Sequence, residues 1–242
     1  MKRNGEIDVL RFVFIIVILL CHFSSTFKTN YFIRGYMGNE FFFLVTGFLM
    51  AQKAFNLKGL DISEIPSYTW NLIRNKVIVF YPYFLSAILV ELVVRRVIIL
   101  DGSYKTIFVE IYKIIPTLSL TFTGITKHTG LYVGNTWFLS SMIIALFILY
   151  PIFLRNYEWA SKYLAPVFCL FGLGYLDAVN LFSTWSKWIG LTYNSILHAL
   201  TVIALGGSLF ALVDYLKNKY GERADGIKKI FLTSIKFFVI YW

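Results

Sequence analysis

Long apolar blocks separated by short polar or basic intervals run along almost the whole chain. About 20 mostly apolar residues are needed for a helix to cross a hydrocarbon core of roughly 30 Å. On that measure spans are expected at 9–27, 36–54, 77–99, 136–154, 163–182 and 189–213, with the start of another near 228. The stretch 107–122 is ambiguous, being short and carrying Glu110, Lys113 and Pro116. Trp137, Trp159, Trp185 and Trp188 fall at block ends, where indoles favour the headgroup region. Gly172 with Gly174, and Gly206 with Gly207, suit close helix approach in a bundle. The pattern predicts an all-α integral membrane protein, a multi-span helical bundle of roughly seven or eight transmembrane helices, as one polytopic domain over 1–242. From Ile230 to Trp242 the chain is apolar apart from Lys236, too short to cross comfortably. It ends either in an interfacial helix or inside a span.

Composition sharpens this picture. The 242 residues are 58% hydrophobic and only 15% charged, with a mean hydropathy of +0.68. A soluble domain carries roughly 25% charged residues, so a soluble reading is excluded. The formal charge of +10 does not indicate nucleic acid, because its Lys and Arg residues sit in short clusters between apolar blocks, as membrane flanks do. Cys21 and Cys169 lie within apolar blocks and form neither a disulfide framework nor a metal-ligand spacing. No metal is expected. The first block is long for a signal peptide, contains His22 and lacks a small-residue cleavage site, so it reads as a retained span. If 107–122 crosses, the Lys/Arg bias is nearly flat. If it is re-entrant or interfacial, Arg155, Lys162, Lys217, Lys219 and Arg223 join the N-terminus on the cytoplasmic side, in better accord with the positive-inside rule.

Candidate chemistry begins in the first span. His22 lies about two-thirds along it, and an intramembrane ionisable residue is a functional hypothesis by default. Arg11 precedes it by eleven residues, which on an α-helix is three turns plus about 20°, so both project from one face roughly 16 Å apart. The spacing alone leaves open a structural histidine and a snorkelling arginine. Glu40 opens the run Phe41-Phe42-Phe43-Leu44-Val45-Thr46-Gly47; paired with His22 it would fix the imidazole's tautomer. Otherwise it is an interfacial carboxylate at the mouth of a span. His198 either lines a cavity or makes a structural hydrogen bond. His128 reads as a loop residue.

The Arg11–His22 pair, preceded by Ile7-Asp8-Val9-Leu10, resembles the opening of the membrane acyltransferase-3 family, polytopic proteins that O-acylate carbohydrates. Glu40 to Leu49 resembles that family's aromatic run ending in Ser-Gly-Phe, with Thr46 in place of the serine. Thr136-Trp137-Phe138-Leu139-Ser140-Ser141, running into Leu149-Tyr150-Pro151, is similar to its Trp-x-Leu segment and closing proline. The resemblance implies a multi-pass protein of the cytoplasmic (inner) membrane. It implies an acyl-CoA donor, usually acetyl-CoA, and as acceptor a hydroxyl on a surface polysaccharide or its lipid-linked precursor. It implies that His22 is the essential imidazole and Arg11 its partner; with His22 as general base, Glu40 is expected to join these two in catalysis, and Thr46, Trp137 and Ser140 are expected as substrate contacts. The family usually has Arg-x-x-Arg before a proline at the third span. Counting back from Pro82, those positions are Lys76 and Val79, so Arg74 and Lys76 are the expected contacts for the donor's phosphates, with a plain positive-inside loop as the alternative. The family also has more spans than this sequence supplies, so the chain is expected to lack the last ones. A transporter or flippase for a glycan precursor, with His22 and Glu40 as proton relay, and a truncated inactive member are the competing readings.

Overall fold

A computed structural model describes residues 5–28, 31–94, 114, 118, 136–179, 188–189 and 192–220. The first helix, α1 (Gly5–Thr26), carries Glu6 and Asp8 in its first turn, where carboxylates complement the positive end of the helix dipole. A 3₁₀ turn, Ile33–Tyr36, leads into α2 (Met37–Asn56). Asp61 then caps the short turn Ile62–Glu64 by accepting from the Ser63 amide at 3.4 Å, and α3 (Ile65–Val94) follows with Pro82 inside it. The helix α4 (Thr136–Arg155) contains Pro151. Asn156 ends it, accepting from the Trp159 amide at 3.1 Å. A π-helical turn, Ala160–Leu164, enters α5 (Ala165–Ala178), whose first turn holds a proline where no helical N–H is needed. A two-residue antiparallel pairing of Trp188–Ile189 with Thr192–Tyr193 precedes α6 (Asn194–Tyr220).

Among the described residues four helices are long and apolar enough to cross a membrane: Gly5–Ser24, Ile62–Val94, Trp137–Arg155 and Asn194–Tyr220. The described residues therefore do not confirm the expected count of seven or eight. At 36–54 a helix of 20 residues does form, but Asn39, Glu40, Gln52 and Lys53 dilute its hydropathy. At 163–182 the regular α-helix has only 14 residues. The segments 107–122 and 228 onward lie outside the described residues, apart from Ile114 and Leu118. The outward faces are as apolar as the interior: Phe12, Leu19 and Phe23 on α1, Tyr83 and Leu89 on α3, and Leu170 and Phe171 on α5 are all exposed. Hydrocarbon is the solvent that makes such a surface stable.

The core forms where α2, α4 and α6 meet. Phe43, Leu146, Tyr150, Phe153 and Ile203 are completely buried there. Small residues allow the approach. A Cβ on Gly47 would fall on the carbonyl oxygen of Ile203, and one on Gly206 would fall on that of Leu44, so α2 and α6 touch backbone to backbone. Partners rise together along these helices: Phe43 stacks on Phe138, Thr46 meets Met142, and Phe55 meets Tyr157. Likewise Glu40 meets His198, and Phe48 meets Phe210. Hence α2, α4 and α6 run the same way. The order is reversed against α1, where Gly38 faces Ile18 and Phe14 stacks on Phe41. The start of α1 and the ends of α2, α4 and α6 thus share one end of the bundle, and Lys53, Lys58, Arg155, Lys162, Lys217 and Lys219 gather there. Arg155, Lys162, Lys217 and Lys219 are residues that a non-crossing 107–122 segment groups with the N-terminus.

Candidate active site

A cavity of about 810 Å³ lies between α1, α2, α3 and α4, within the range typical of ligand sites. Helix periodicity decides what faces it. On α1, Arg11, Ile15, Ile18 and His22 form one stripe; on α2, Asn39, Phe42, Thr46 and Lys53 form another. From α3 come Asn75, Lys76 and Val79, and from α4 come Trp137, Phe138 and Met142. Arg11 and His22 thus line the same space, and Thr46, Lys76 and Trp137 join them.

His22 is exposed, and among the described residues no hydrogen bond engages its ring. Its backbone carbonyl accepts from Thr26 Oγ1 at 2.9 Å. Arg11 is held by Asp8, with Nη1 3.3 Å from Oδ1, the one-turn spacing at which helix neighbours meet. Thr46 is nearly buried, and its hydroxyl rests 3.6 Å from the Met142 sulfur. A thioether is a weak acceptor, so this hydroxyl can turn to a better one at little cost. The described lining holds three basic side chains, Arg11, Lys53 and Lys76, and no carboxylate.

Glu40, Arg74 and Ser140 are placed elsewhere. Glu40 starts α2 one residue after Asn39, and that 100° step turns it from the cavity toward α6. There Oε1 lies 3.3 Å from Nδ1 of the fully buried His198. The carboxylate expected near His22 is therefore committed to a different histidine. Arg74 is exposed and absent from the cavity wall, which its neighbours Asn75 and Lys76 do line. Ser140 is fully buried, on the side of α4 that faces the core. Beside it Ser141 donates to Ser195 at 2.8 Å. Asn194 and Thr201 of α6 are fully buried as well, Thr201 against Gly172 of α5.

Lys53 is the lining residue that sequence reasoning missed. Its signal was a lone cation in the last turn of an otherwise apolar run, which reads as a membrane flank until the neighbouring helices are in place.

At the basic end of the bundle, Glu158 pairs with both Lys58 and Lys162. The hydrogen bonds from Lys162 and Lys58 hold its carboxyl below the usual range, and Glu158 in turn raises Lys162. Lys58 also sits 4.2 Å above the Phe55 ring and 4.8 Å from that of Tyr157, an arrangement that ties the end of α2 to the turn before α5.

A family model described as an acyltransferase domain, that of the acyltransferase-3 family, matches residues 4–242. No curated protein and no solved structure gives a significant match. The match spans nearly the whole chain, including all four walls of the cavity, and the apolar helices identify a membrane protein: this chain belongs to the acyltransferase-3 family of membrane acyltransferases.

Proposed function

We propose that the protein transfers an acyl group, acetyl in the simplest case, from acyl-CoA to a hydroxyl of a surface polysaccharide or its lipid-linked precursor. The supporting observation is one cavity with an unengaged imidazole toward one end and cations toward the other. A sugar hydroxyl is a poor nucleophile at neutral pH. His22 takes its proton as the oxygen attacks the thioester carbon. The resulting oxyanion collapses, the C–S bond breaks, and the departing thiolate receives the proton back from the imidazolium. The products are an ester and free CoA, with no net proton change. Arg11, on the same face of α1 but roughly 16 Å from His22, is too far to meet that oxyanion and faces negative charge elsewhere on the donor. Thr46 and Trp137 contact the substrates from α2 and α4.

Direction supports the donor's side of entry. The end of the bundle that carries Lys53, Lys58, Arg155, Lys162, Lys217 and Lys219 is cytoplasmic by the positive-inside rule, which is where acyl-CoA is made. His22 then lies deeper, toward the opposite leaflet.

The test is acyl-CoA consumption by purified protein in nanodiscs, with and without crude envelope glycan. General-base assistance contributes about 10²–10⁴-fold, so His22→Ala is expected to reduce glycan-dependent consumption by that order while inserting normally. Equal rates in wild type and variant remove the base assignment. A wild type that consumes none in the presence of glycan removes the transferase reading itself.

A further inference from the structure

The cavity holds more positive charge than the acyl-transfer step uses. Arg11, Lys53 and Lys76 reach it from three different helices, and none of the described residues lining it is acidic. Asp8 offsets part of the charge on Arg11; no comparable partner faces Lys53 or Lys76 among the described residues. Cations drawn into an apolar bundle without counter-charges are costly, and a ligand that brings several negative charges removes that cost.

We propose that Lys53 completes a phosphate-binding site with Arg11 and Lys76, and that this site takes the phosphates of the CoA donor. The assignment rests on the acyl-CoA reading above and extends it to a residue on α2. Lys53 is three residues from the end of α2, and Lys76 lies just where α3 turns apolar, so the two cations approach one cavity from separate helices. Lysines act here as point charges on flexible stems, so they can follow a chain of phosphates without a fixed fork. Val79, one turn beyond Lys76, lines the same cavity and offers a position from which a new cation can reach the same anion.

Binding of CoA, measured calorimetrically without turnover, is compared with binding of pantetheine, which has the thiol arm but no phosphate. Hydrogen bonds to charged groups contribute about 1.5–3 kcal/mol, so Lys53→Gln and Lys76→Gln are each expected to weaken CoA by about tenfold or more and leave pantetheine unchanged. Arg74→Gln, off the cavity wall, leaves both unchanged. Lys53→Gln combined with Val79→Lys recovers most of the lost affinity. Unaltered CoA binding in Lys53→Gln overturns the proposal, as does equal weakening of CoA and pantetheine. So does a rise in the apparent KM for a lipid-linked acceptor with CoA binding intact, which would give Lys53 to a lipid phosphate. Because binding is read without transfer, a preparation that binds CoA through Lys53 yet transfers nothing separates this inference from the acyl-transfer reading.

Discussion

Gly47→Ala is the substitution that best tests whether the α2–α6 contact holds the site together. The added methyl would collide with the carbonyl oxygen of Ile203 and also crowd its carbonyl carbon and Cα. These are backbone atoms inside a helix, so no rotamer change relieves the clash, and the helices must move apart. Overpacking of this kind costs about 1–3 kcal/mol or more, against a helix-propensity gain of about 1 kcal/mol for replacing glycine with alanine. The net loss is up to about 2 kcal/mol, which for a chain of this size lowers the apparent Tm by roughly 2–4 °C per kcal/mol. Gly206→Ala meets the backbone at Leu44 and should behave alike. The double variant should lose less than the sum, since helices already separated accommodate the second methyl. Gly174 on α5 has nothing within 4 Å of its virtual Cβ, so Gly174→Ala should show only the propensity gain. The assay is thermal unfolding in one detergent, followed by tryptophan fluorescence. If Gly47→Ala and Gly174→Ala shift the midpoint in the same direction, the backbone contact does not hold the two helices.

Two further outcomes follow from the pairs described above. Losing the hydrogen bond of the part-buried Glu40–His198 pair costs about 0.5–1.5 kcal/mol, so Glu40→Gln and His198→Ala should both lower thermal stability. Turnover per folded molecule should stay within a few-fold of wild type, and a larger fall in turnover for Glu40→Gln than in folded yield would return Glu40 to the catalytic set. Glu158 has a folded-state pKa below its unfolded one, so its contribution is present above the unfolded pKa and is lost as pH falls through the folded one. Both of its lysine partners are largely exposed, which limits the effect to about 0.3–1 kcal/mol. Glu158→Gln should lower the midpoint slightly at neutral pH, and the difference should vanish in acid and in high salt.

Apolar blocks carried most of the helix positions because a span is defined by its own residues. The run from 136 to 154 became Thr136–Arg155 almost unchanged. The third helix begins at Ile65, earlier than the apolar block at 77, because a polar, tryptophan-bearing stretch capped by Asp61 precedes the hydrophobic part. The Arg11–His22 face was legible for the same reason, since both ends lie on one helix. What could not be read was any contact between helices. Glu40 and His198 are 158 residues apart, and no periodicity within α2 or α6 says which neighbour each will meet. The sequence left Glu40 either paired with His22 or at the mouth of a span, and a single 100° step from Asn39 turns it toward His198 instead.

That step shows how α2 divides the molecule. One stripe of the helix, Asn39, Phe42, Thr46 and Lys53, faces the cavity. The other, Glu40, Phe43, Gly47 and Ala51, is fixed against α4 and α6 by a part-buried carboxylate–imidazole contact, a stacked ring and a backbone contact. Residues alternate between the two jobs along the same few turns: Thr46 meets the cavity while Gly47 meets Ile203. A functional hydroxyl is positioned to the degree that its neighbour is immobile, and backbone packed on backbone is as immobile as a helix contact becomes. The facing wall, α1, is different: it meets α2 through Phe14 and Ile18 and the preceding turn through Gly35, and shows most of its surface outward. His22 therefore sits on the looser wall and Thr46 on the rigid one.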